Sequence, residues 1–206
     1  MPQAKLRASL DGSAGMLKLY GDAVSGNCYK VQLLLAQLGI DYDWQSVDVL
    51  SGEARTPEFR AMNPNGKVPV LELAPGSYLW ESNAILCHLA EGTAFWSGDS
   101  VARARVLQRL FFEQYSHEPY VAVRRSLMRY PELASEATPS RMATLLERGN
   151  KALSVMESRL AASRFLAGAG PSVADIALYA YTHCAHEGGF ALTDFPAVSA
   201  WLERVR

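Results

Sequence analysis

Cysteine is scarce in this chain: Cys28, Cys87 and Cys184 are the only three in 206 residues, and long intervals separate them. An odd count at such spacing supports neither a disulfide framework nor a zinc site, and it fits a reducing cytoplasm best. An excess of charge of one sign is missing too. Twenty Lys and Arg stand against twenty-one Asp and Glu, a formal net charge of −1, so there is no basic field for nucleic acid and no polybasic run for a membrane surface. Although 49% of the residues are hydrophobic, charges and prolines interrupt them before any stretch reaches the roughly 18 residues needed to cross a bilayer. A soluble protein is expected, with small neutral or anionic molecules as its open partners. The first fifteen residues, MPQAKLRASLDGSAG, lack an apolar core of signal-peptide length. They read as a disordered extension or an upstream start, outside the fold.

A chain of this length accommodates two small domains, since a typical one runs roughly 100 to 200 residues. Met16 opens a strand, Leu17 to Tyr20, and Gly21, Asp22, Ser25 and Gly26 make a loop of turn residues after it. In YKVQLLLAQLG the residues Val31, Leu34, Leu35 and Leu38 recur at i, i+3, i+4 and i+7 ahead of Gly39, an amphipathic helix with a glycine stop. Tyr42 to Val49 has the aromatic and β-branched content of a strand, and the βαβ order implies a parallel pair with a right-handed crossover. A short polar helix around Thr56 to Met62 leads to turns at Asn63-Pro64 and Asn65-Gly66, then to a strand from Val68 to Leu73. Pro75-Gly76 turns the chain into a hairpin partner, Tyr78 to Trp80, and Ser82 precedes NAILCHLAEG as its capping side chain, a helix that stops at Gly92. The order β-α-β-α-β-β-α over 16–92 is that of a thioredoxin-like domain. Residues 93–99 read as a linker, and helical stretches near 100–129, 140–161, 172–187 and 197–205 make an all-α domain of residues 100–206.

Four motifs, SGNCYK at 25–30, NPNGKVPVL at 63–71, ESNAI at 81–85 and SVADIALY at 172–179, resemble those of cytosolic glutathione transferases in that family's order and spacing. The first loop is most similar to bacterial nu-like and serine-type members, where it reads Ser or Thr, any residue, Asn, then Lys three further on. The resemblance implies the glutathione transferase fold: an α+β thioredoxin-like N-terminal domain followed by an all-helical C-terminal domain. It also implies glutathione as co-substrate, no metal, a homodimer, a cytoplasmic place and a detoxifying transferase. The glutathione thiolate would attack a small hydrophobic electrophile or reduce a small disulfide or peroxide. The competing reading is a non-catalytic binding or assembly module of the same fold.

A free thiol with a pKa near 8.5 is mostly protonated at neutral pH, so such a site must stabilise the thiolate with a hydrogen-bond donor. Ser25 matches the catalytic-serine position implied by the resemblance, and Asn27 the asparagine of nu-like members. Both are also residue types that simply cap helices. Cys28 invites a mixed-disulfide mechanism, but the cysteine of the cysteine-type classes aligns better with Asn27 or Ser25. A small buried residue on the first helical turn is the plainer reading. By the same resemblance, a cis Val68-Pro69 bond presents backbone groups to the cysteinyl unit of glutathione. Ser82 would hold the γ-glutamyl carboxylate at a helix N-terminus with Glu81 near the ammonium, and Lys67 would meet the glycyl carboxylate. Arg55 is a weaker candidate for the same anion. Ser172 and Asp175 form a capping-box pattern with a folding role. The second substrate is expected between the first loop and the helices that face it. Tyr115, His117, Tyr120 and Arg124 are its candidate contacts, because they punctuate an apolar helix with polar and aromatic groups. His183 and His186, spaced i, i+3 without a third ligand, read as interior histidines and not as a metal pair.

Overall fold

The computed structural model describes residues 16–206, and the extension expected over 1–15 lies outside the described residues. The chain divides into two compact units, one ending at Ser97 and the other comprising Gly98–Arg206.

The first unit is built on a four-stranded sheet of order β2-β1-β3-β4, with β1 at Leu17–Gly21, β2 at Tyr42–Ser46, β3 at Val70–Ala74 and β4 at Ser77–Trp80. β1 runs parallel to β2, in register from Leu17↔Tyr42 to Gly21↔Ser46, and antiparallel to β3, which pairs antiparallel with β4. Helix α1, Gly26–Leu38, supplies the crossover between the parallel pair, and α2, Pro57–Met62, and α3, Ser82–Ala90, complete the unit. Side chains alternate across β1. Leu17 and Leu19 are buried, as are Val31, Leu34 and Leu35 of α1 and Ile85, Leu86 and Leu89 of α3. A second cluster gathers Val47, Ala54, Phe59 and Val70 with Tyr20, Met62, Val68 and Tyr78. At roughly 25 cal/mol per Å² of apolar surface removed from water, each such aliphatic side chain contributes about 1.5–3 kcal/mol. Gly39 ends α1 in the left-handed conformation, φ 62°, and its N–H closes back on Ala36 and Leu35.

Three boundaries in this unit differ by two residues or more from the sequence expectation. β2 stops at Ser46, though Val47 stays buried and donates its N–H to Gly21 O at 2.8 Å. β3 begins at Val70, because Pro69 has no N–H to give a ladder. Helix α1 begins at Gly26, earlier than its apolar pattern, because the Ser25 cap sets the start.

The second unit is helical. α4 at Ser100–Phe112 passes through a π-helical turn at Glu113–His117 into α5, Glu118–Arg129, so the single helix expected over 100–129 carries a wide turn in its middle. α6 at Pro139–Ala161 starts from a Thr138 cap, and α8 spans Pro196–Val205. α7, Val173–Thr182, is buried at all ten positions and ends before the 3-10 turn Ala185–Gly188, shorter than the 172–187 expected. Asp175, on its first turn, accepts from Leu166 N (2.9 Å), Ser172 N (3.0 Å), Ser172 Oγ (2.9 Å) and Trp201 Nε1 (3.0 Å). The capping-box pattern thus organises the middle of this unit.

Candidate functional site

The first loop turns tightly because Asp22 O accepts the Ser25 N–H at 3.1 Å and Asp22 Oδ1 the Val24 N–H at 3.1 Å. Ser25 is then the N-cap of α1, its Oγ accepting from Cys28 N at 3.4 Å. Capping uses a lone pair of the hydroxyl and leaves its proton to donate. The loop can lie this close to the sheet only because Gly21 has no side chain. A Cβ there would stand 2.7 Å from the Trp44 ring and 2.8 Å from Cys28 Sγ.

Cys28 has no exposed surface, and burial pushes its thiol up to about 11 despite the Ser25 hydrogen bond. It is a protonated packing residue at neutral pH. Cys87 is likewise pushed to about 11 by burial, with the Glu91 charge adding to it.

Two residues after Ser25, the side chain of Asn27 reaches α3: Ser82 Oγ donates to Asn27 Oδ1 at 3.2 Å. Lys30, one turn further along α1, is fully buried and donates its ammonium to the same Ser82 Oγ at 3.4 Å. Ser82 itself is 5% exposed. Two helix starts and one buried cation therefore converge on a single hydroxyl. Lys30 was visible in the sequence only as a letter of the first-loop motif. Nothing in the local pattern announces its burial.

The residue before Ser82, Glu81, is the one non-glycine at positive φ among the described residues, φ 71° and ψ 109°. Its side chain is exposed. Strain of this kind costs on the order of 1–3 kcal/mol and persists where the surroundings impose it. The Val68–Pro69 bond is cis. The turn leading into it is built by the buried Asn63, whose Nδ2 donates to Lys67 O at 2.7 Å and whose Oδ1 accepts from Asn65 N at 3.0 Å. The Lys67 side chain is exposed, as is Arg55 at the end of a 3-10 turn.

The first unit therefore brings Asn27 and Ser82 together by direct contact, with Ser25 and Glu81 their chain neighbours. The four second-unit candidates do not share one environment. Tyr115 is 84% exposed on the π turn, whereas His117, on the same turn, has no exposed surface and its Nε2 lies 3.0 Å from Thr182 Oγ1. Tyr120 lines a cavity of about 460 Å³ with Phe112, Ser116, Arg148, Lys151 and Val155. Its hydroxyl accepts from Arg148 Nη1 at 2.9 Å. Arg124 keeps Nε and Nη1 buried without a hydrogen-bond partner among the described residues, and burial pushes its pKa below the ordinary value. His183 lies flat on Tyr179, ring centroids 5.0 Å apart, and no group of three metal-ligating residues occurs among the described residues.

Comparisons with known proteins agree over both halves. The family model described as Glutathione S-transferase, N-terminal domain, matches residues 24–91, and the corresponding C-terminal domain matches 114–206. A crystal structure of a glutathione S-transferase from Pseudomonas fluorescens superposes with TM-score 0.89 at 53% identity, covering 92% of this chain and 94% of that one. The disulfide-bond oxidoreductase YfcG of Escherichia coli is 31% identical over 93% of this chain and 90% of its own length. The glutathione transferase URE2P8 of Phanerochaete chrysosporium, solved with oxidized glutathione, has TM-score 0.83 at 26% identity over 94% of this chain and 91% of that one. With both halves matched in order across most of its length, the chain belongs to the glutathione S-transferase family.

Proposed function

We propose that this chain is a glutathione transferase whose thiol site is formed by the Ser25 loop, the Val68–Pro69 segment and the start of α3. The observation that carries the reading is the Asn27–Ser82–Lys30 cluster. It gathers hydrogen-bonding groups and a buried cation where one anionic end of a small peptide would seat against a helix N-terminus. Ser82 and the first amides of α3 take the γ-glutamyl carboxylate, with the buried Lys30 adding positive potential, and Glu81 takes the ammonium. Val68 offers its backbone to the cysteinyl unit, and Lys67 meets the glycyl carboxylate from its exposed turn. The sulfur then lies by the start of α1, where the Ser25 hydroxyl and the Asn27 amide are the donors that stabilise the thiolate.

Reduction of small disulfides is the second chemistry favoured, because the chain is similar to a protein named as a disulfide-bond oxidoreductase. Bound glutathione, not the buried Cys28, carries that redox step. A glutathione-affinity column tests the reading, with clean retention and elution by free glutathione expected. Passage straight through by folded protein would leave the non-catalytic alternative standing. Parallel assays with an aromatic halide, an organic peroxide and a glutathione mixed disulfide then name the reaction by their ratio.

A further inference from the structure

The second unit holds a cluster of cations that the glutathione site does not use. Arg105 and Arg109 stand one turn apart on α4, and Arg159 occupies the last turn of α6. Together with Gln108, Leu166 and Ala167 they line a cavity of about 320 Å³. The carbonyl oxygen of Leu166 is the hub, accepting from Arg109 Nε at 3.2 Å and from Arg159 Nε at 3.0 Å. The Leu166 N–H is fixed on its other side by Asp175 Oδ1 at 2.9 Å, so the carbonyl and both guanidinium groups have a rigid mount. Among the described residues, none of the three arginines forms an ion pair with a carboxylate. Like charges at i, i+4 repel, and two guanidinium groups on one neutral carbonyl repel more. Burial first, and the Arg159 charge second, push the Arg109 pKa below its ordinary value.

We propose that this cavity binds a tetrahedral oxyanion carried by a small molecule, of the phosphate or sulfate type. A guanidinium fork matches such oxygens with paired N–H donors, and three forks on two helices suit more than one negative charge. The Nε atoms are taken by Leu166 O, and the Nη donors remain to bind. Gln108 adds an amide. The cavity has the volume of about ten waters at ~30 Å³ each, room for an anion with a further group attached.

The test is calorimetric titration of the full chain with inorganic pyrophosphate, phosphate and sulfate at ionic strength held constant with sodium chloride. One pyrophosphate per chain is expected, with phosphate and sulfate weaker. Arg159→Gln should weaken pyrophosphate by about tenfold or more, the loss of one charge-assisted contact. Arg159 also holds the Leu166 loop, so Arg105→Gln, which breaks no hydrogen bond among the described residues, is the companion variant and should weaken binding about threefold or more. Ser82→Ala should leave the titration unchanged, which separates this site from the glutathione site. No heat in the wild type beyond the chloride control would overturn the proposal. So would Arg105→Gln binding pyrophosphate as the wild type does while shifting the sedimentation profile, since that would make these cations contacts for a second copy of the chain.

Discussion

Ser25 and Asn27 differ in what the fold leaves them to do. The Ser25 oxygen caps α1 through Cys28 N, so its proton is what a thiolate can use, whereas the Asn27 side chain is tied to α3 through its carbonyl, which accepts from Ser82. Ser25→Ala should therefore move the acid limb of the pH–rate profile to higher pH and lower turnover while glutathione still binds, with about 1 kcal/mol of stability lost with the cap. An unchanged profile would pass the role to Asn27. Ser82→Ala removes the shared hydroxyl and should weaken glutathione by about 1–3 kcal/mol by calorimetry, because Lys30 and Asn27 lose their common partner. Cys28→Ala should remain active, since a buried thiol held near 11 supplies no thiolate at neutral pH. A folded but inactive Cys28→Ala, with a glutathione adduct trapped on the wild-type residue, would replace this chemistry with a cysteine mechanism.

At the scale of elements, α7 and its surroundings hold the second unit together. Asp175→Ala would leave the buried N–H groups of Leu166, Ser172 and Trp201 without their acceptor, and an unfolding free energy lower by about 3 kcal/mol or more is expected in denaturant titration. The 3-10 turn Ala185–Gly188 is tied to α5 by Glu187, which bridges Arg125 Nε at 2.8 Å and Arg129 Nη1 at 2.9 Å. Burial works against the Glu187 charge, yet the Arg125 and Arg129 contacts outweigh it and hold the carboxyl below the usual range. A depressed folded pKa gives stability that is present above the unfolded value of about 4.3 and lost as pH falls through the folded one. Glu187→Gln should accordingly lower the melting temperature at pH 7, and the gap from wild type should close as the pH drops below about 4. These ties also explain what was legible beforehand. The period of Val31, Leu34, Leu35 and Leu38 and the S-x-x-D cap at Ser172 are local signals, and the sequence carries them openly. The buried Lys30, the enclosed His117 on its π turn and the Arg109 bond to Leu166 O depend on partners far away in the chain, where neither spacing nor residue type reports burial.

For the whole molecule, we propose a homodimer, as family membership suggests. Sedimentation at micromolar concentration should give twice the mass of the 22.6 kDa chain, and a single monomeric species would remove that proposal. For the site itself, we propose that glutathione seats against the Asn27–Ser82–Lys30 cluster with its sulfur ionised by donors at the start of α1. The most direct measurement is the ultraviolet absorbance of the thiolate in a pH titration of the complex at saturating glutathione, for wild type, Ser25→Ala and Asn27→Ala. Bound glutathione should ionise at least one pH unit below the roughly 8.5 of a free thiol, and one of the two variants should reverse most of this shift at a cost of about 1.4 kcal/mol per unit. A bound thiol that titrates as it does in free solution, in a complex that forms normally, would contradict it.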